Sequence, residues 1–162
     1  MLFSSCTTKI SHLEKGQQFI ESQFPDEISF IQKMDHSDFK AELQRLLANV
    51  HSTSISDENC SVGQIACSFS SYPHTIFFKP KYFRLSKEEQ FTTILHESFH
   101  LFHNNFDHVL CTKEKSWGHE CDEDLNSAYG IEYKYLLYKY HANPSENILS
   151  ILKRLDRRVN KS

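Results

Sequence analysis

Residues 96–100 read His-Glu-Ser-Phe-His, two histidines four apart with a glutamate directly after the first. On a helix, residues i and i+4 lie on one face, so His96 and His100 can present both imidazoles to a single tetrahedral ion. Glu97 is turned about 100° from His96 around the helix. It cannot line up with the histidines as a ligand, but it can reach a water polarised by the ion and take its proton. Three fixed positions in a chain with ten histidines can coincide by chance. Their place within a long amphipathic stretch, after a predicted hairpin, favours a metal site.

A catalytic zinc needs a third protein ligand and one open position. Six residues beyond His100, where an extended form of the pattern would place it, stands Phe106; Asp107 and His108 are near but out of register. The expectation therefore moves to a later helix whose start is crowded by Asp122, Glu123 and Asp124. Asp124 has Ser127 at i+3 and Ala128 at i+4, small residues that let two helices approach. Glu123, with Asn126 at i+3, is the weaker choice. The plain alternative is acidic decoration of a helix N-terminus. The expected metal set is His96, His100 and Asp124 around Zn²⁺. His103, two turns after His96, reads as a solvated helix histidine. Tyr129 is the one tyrosine of its series placed for a functional hydroxyl; Tyr133, Tyr135, Tyr138 and Tyr140 read as packing.

These residues need elements to hold them. Ser86 followed by Glu89 is a capping box, and Phe91, Leu95, Phe99 and Phe102 recur at helical spacing, so a helix is expected over about Lys87–Asn104. Before it, "SVGQIACSFS" and "TIFFKP" around the turn signal "SSYPH" predict a β-hairpin of Val62–Phe69 and Thr75–Lys79. Residues 11–24 predict a short helix capped by Ser11, and residues 37–52 a clearer one capped by Ser37, with Phe39, Leu43, Leu46, Leu47 and Val50 as its apolar stripe. The stretch from Asn104 reads as a polar loop of about 20 residues, a length usually kept for function. A helix follows from near Asp122, Pro144 interrupts it, and "SENILSILKRLDRRV" forms a last amphipathic helix. Helices, a hairpin and more helices suggest an α+β class.

A chain of 162 residues fits one domain, and thirteen Phe and seven Tyr supply a core weighted to aromatics. A net charge of −3 without a Lys/Arg block points away from nucleic acid and anionic membranes. The basic end "KRLDRRVNK" reads as solvated helix. No signal-like or membrane-spanning stretch is evident, so a cytoplasmic protein is the default expectation, with export by another route (an effector or toxin) open. Five cysteines without C-x-x-C suggest free thiols; Cys60–Cys67 and Cys111–Cys121 are conceivable pairs in an oxidising compartment.

From about Val62 to Tyr140, the hairpin, the H-E-x-x-H helix and the later acidic helix resemble the minimal catalytic unit of a zincin metallopeptidase. The tail "NSAYG" is similar to the D-x-x-Y-G of aspzincins, whose Asp binds zinc and whose Tyr helps stabilise the oxyanion. Position by position that Tyr falls on Tyr129 and that Asp on Asn126, a departure; a gluzincin-like arrangement favours Asp124. The resemblance implies a single zincin-like domain over residues 1–162, with a hairpin or short antiparallel sheet packed on the H-E-x-x-H helix. It implies a zinc-dependent peptidase, here expected to be a monomeric endopeptidase acting on protein or peptide substrates, with Glu97 as base, Tyr129 as oxyanion donor and the strand near Thr75–Phe78 pairing with substrate. The competing readings are a catalytically silent zinc-binding regulatory domain and a helical interaction module without metal.

Overall fold

The computed structural model describes residues 14–110, 120–122 and 125–159. Its described elements run β1 (Glu14–Lys15), α1 (Gly16–Gln23), α2 (Pro25–Lys33), α3 (Ser37–Ala48), β2 (Ser52–Ile55), β3 (Ala66–Cys67), β4 (Thr75–Phe78), a 3₁₀ turn (Pro80–Arg84), α4 (Lys87–His103), β5 (Val109–Leu110), β6 (Glu120–Cys121), α5 (Ala128–Tyr140) and α6 (Glu146–Asp156). The α+β class stands. The Ser11 cap lies outside the described residues, and Ser37 is the first residue of α3 rather than its cap, which is His36.

The sheet differs from the expected hairpin. Its strand order is β1-β2-β4-β3, with β2 parallel to β4 and β3 antiparallel to it, so it is mixed rather than antiparallel. The hairpin arms meet over two residues only, Ala66 opposite Phe78 and Cys67 opposite Phe77. The missed partner is β2, "STSI", a short polar segment whose pairing to β4 is non-local and leaves no periodic signature. Thr75–Phe78 is consequently an inner strand, and β3 forms the edge on the α4 side. Helix α2 also went unread, although Pro25 at its first turn with Asp26 and Glu27 is a good start signal.

Cys60 and Cys67 form a disulfide that ties the loop after β2 to edge strand β3, and Cys121 is disulfide-bonded as well. This replaces the expectation of free thiols. The two cysteine Cα atoms lie 5.6 Å apart, well inside disulfide reach.

Helix α4 is the spine. The Ser86–Glu89 capping box forms as the sequence predicts. Phe91, Ile94 and Leu95 pack with Tyr135, Leu136 and Ile131 of α5 and with Leu43, Leu46 and Leu47 of α3. Every residue from Gln90 to Leu101 is buried, polar ones included. A helix buried all round normally carries apolar residues on all faces. Here His96, Glu97, Ser98 and His100 are buried too, and buried polar groups demand partners.

Candidate metal centre

Those partners come from four directions. The α4 helix stops at Asn104, which adopts the left-handed conformation (φ 50°, ψ 37°) that ends helices and reverses the chain. The reversal brings the Asn105 carbonyl back to accept from His100 Nδ1. It then feeds His108 toward the helix, just before the β5–β6 pair. His108 Nε2 lies 3.2 Å from His96 Nε2 and 3.0 Å from His100 Nε2, and the latter two are 3.1 Å apart. Three imidazole nitrogens thus form a nearly equilateral triangle, positioned to bind a metal ion.

The third member, His108, stands two residues past the position that the extended pattern would use. Asp124 and Glu123 lie outside the described residues. Among the described ones the acid of that cluster is Asp122, and it stands behind a histidine. Its Oδ1 accepts from His108 Nδ1 at 2.6 Å, and its Oδ2 accepts from the Tyr129 backbone N–H at 2.7 Å. Burial alone would raise the Asp122 carboxyl, but the hydrogen bonds from His108 and Tyr129 outweigh it and hold the group below its ordinary value. Asn126, onto which the aspzincin ligand falls, is exposed and is not a member of the three-histidine cluster. His103 is exposed against Phe99 and Phe102, as the solvated reading expects.

His96 Nδ1 faces Glu132 Oε1 of α5 at 2.8 Å. Sequence reasoning missed Glu132, yet a signal was present: a lone acid among Tyr129, Ile131, Tyr135 and Leu136 on a buried helix is costly without a partner. Burial pushes the Glu132 carboxyl up to about 8 and lowers His96 well below the ordinary histidine value, the neighbouring His100 and His108 adding to the latter. Each histidine therefore has an oxygen partner at Nδ1, the arrangement that orients metal-ligating imidazoles.

The proton count decides what the triangle can hold. His100 and His108 donate from Nδ1 to a carbonyl and a lowered carboxylate, so their Nε2 atoms carry lone pairs. Lone pairs converging in this way suit a positive centre between them. A single proton on His96 Nε2, with Glu132 protonated behind it, can serve one edge well and not all three. An ion about 2.0–2.1 Å from three nitrogens in tetrahedral array requires N–N separations of about 3.3–3.4 Å, within a few tenths of an ångström of those present.

Two more residues belong with these histidines, Glu97 next to His96 in the chain and Tyr129 packed on two of the rings. Glu97 Oε2 accepts from Ser68 Oγ at 2.8 Å, so the residue after edge strand β3 orients the glutamate. The Tyr129 ring packs on His96 and His108 at 4.6 and 5.0 Å between centroids. Gly130 beside it is obligatory, because a Cβ there would sit 2.1 Å from the Leu125 carbonyl oxygen. No family model matches the chain, and no curated protein or solved structure does.

Proposed function

We propose that the chain is a zinc-dependent metallopeptidase, an endopeptidase, with His96, His100 and His108 as ligands and Glu97 as general base. The observation that carries this is the convergence of three Nε2 atoms beside a buried, oriented glutamate. Three histidines leave a fourth tetrahedral position for water or a substrate carbonyl. Zinc suits an imidazole set, and when bound it supplies a Lewis acid that polarises the carbonyl and acidifies water. Glu97 takes the proton of the attacking water and returns it to the leaving amine. Tyr129, whose ring packs on His96 and His108, donates from its hydroxyl to the oxyanion. The free edge of β3, in place of the inner strand Thr75–Phe78, pairs with the extended peptide.

The silent zinc-binding domain is the poorer reading, since a structural site has no use for a buried base held by Ser68. Cleavage of an unfolded protein by the wild type, its loss with a chelator and its return with zinc test the proposal; no cleavage of any substrate in a broad peptide mixture would overturn it. The disulfides favour an oxidising compartment over the cytoplasm.

Two further outcomes follow from the geometry. Ser68→Ala should retain zinc and lower kcat about 10- to 100-fold with little change in KM, the scale of one hydrogen bond to a charged group; unchanged kcat in steady-state assays would remove Ser68 from the mechanism. Zinc uptake should release protons. The Glu132–His96 pair holds one below pH about 8, where Glu132 is neutral, and the ion displaces it. Calorimetry in buffers of differing ionisation enthalpy at pH 7 should show about one proton released per zinc. The release should fade as pH rises through 8 and be smaller in Glu132→Gln.

A further inference from the structure

The basic C-terminal stretch, read from sequence as solvated helix, does something else at Arg158. Its carbonyl accepts from the Asp122 N–H at 2.8 Å, and Val159 bridges to Asp122. The segment is thereby fixed beside the very residue that holds His108. The Arg158 side chain turns inward: Nη1 donates to Tyr129 Oη at 2.5 Å, and its Cζ lies 4.8 Å from the centre of the Tyr129 ring. That ring packs on two of the three histidines. Arg154, one turn earlier, is paired with Glu89 at 2.8 Å. Arg158 has no carboxylate within ion-pair distance among the described residues. A guanidinium carries five N–H donors, and the hydrogen bond to Tyr129 uses one of them. A half-buried guanidinium that no described carboxylate pairs keeps N–H donors for an arriving anion.

We propose that Arg158 is an oxyanion-binding residue, which with a metal ion on the three histidines takes a carboxylate or tetrahedral oxyanion group of the substrate. The proposal rests on the metal-site reading above. Two sources share this chemistry: the oxyanion of the tetrahedral adduct, and the terminal carboxylate of a short peptide. The planar fork of arginine suits either one by paired N–H···O bonds. Placement by the backbone of a segment paired to Asp122 keeps the guanidinium in fixed register with the ligand set.

The test uses the full chain loaded with cobalt(II), whose visible spectrum reports ligands at the ion. Inorganic phosphate is the anionic probe and imidazole the neutral one. Arg158→Gln should bind cobalt and imidazole as the wild type does and bind phosphate about 10-fold or more weakly, with Arg158→Lys in between. Equal phosphate affinity in Arg158→Gln overturns the proposal. So does a parallel loss of imidazole or cobalt binding, which would make Arg158 only a lock on Tyr129. Failure of the wild type to bind cobalt instead overturns the metal reading on which it depends. Peptides cleaved by the wild type, made with free or amidated C-termini, separate the two sources. A loss in Arg158→Gln confined to free carboxylates assigns the terminus, an equal loss assigns the adduct, and no loss in either contradicts the role.

Discussion

Replacing His108 by alanine is expected to lower zinc affinity about 100- to 1,000-fold. Structural zinc sites bind with about 10–16 kcal/mol shared over four ligands, so one imidazole contributes about 2.5–4 kcal/mol, and each 1.4 kcal/mol is a factor of ten. His108 stands on the short segment between the α4 cap and β5, outside the aromatic core, so the fold should survive, as circular dichroism can check. Asp122→Asn probes the same ligand from behind. It keeps an acceptor for His108 Nδ1 but loses the charge and the oxygen that accepts from the Tyr129 N–H, and should weaken zinc about 10- to 100-fold. Zinc competition with a chromophoric chelator measures both. If His108→Ala bound zinc like the wild type, His108 would not be a ligand, and Asp124 would regain its place as the expected third group.

Replacing Glu97 by glutamine should do the opposite: zinc retained, turnover lost. The amide keeps the size of the carboxylate and can still accept from Ser68 Oγ, so the packing around α4 is preserved. What it cannot do is take a proton from water. General-base catalysis contributes about 10²–10⁴ in rate, so kcat should fall by that factor with the zinc content unchanged. Mapping of new protein termini made by the wild type and not by Glu97→Gln would measure the loss and identify substrates together. Full cleavage by Glu97→Gln would remove Glu97 as the base.

The part of the site legible in sequence is the part carried by one helix. The i, i+4 spacing of His96 and His100, the capping box at Ser86 and Glu89 and the apolar stripe of Phe91, Leu95 and Phe99 are all local. The structure keeps them in Lys87–His103. The rest depends on how the chain returns. His108 was counted out of register because the count presumed a fixed turn after the helix. The left-handed cap at Asn104 and the β5–β6 pair set a different return, for which the paired asparagines 104 and 105 were the available hint. Asp122 was read as a ligand candidate because an acid near zinc chemistry suggests coordination. Only the distance to His108 Nδ1 shows that it accepts from a histidine instead. Glu132 and Arg158 illustrate the same difficulty, since each gains meaning from a helix or segment distant in sequence. The sheet follows suit: β4 is legible as a β-rich run, whereas its parallel neighbour β2 is three hydroxyl residues and Ile55, too short to show a pattern of its own.

The most direct test of the central claim is the metal content of the full chain purified without a histidine tag and dialysed against metal-free buffer. Bound metal would be quantified by mass spectrometry and compared with His108→Ala. About one equivalent of zinc per chain is expected, lost in the variant. Less than about half an equivalent in the wild type, with no affinity near the micromolar range on zinc addition, would contradict it.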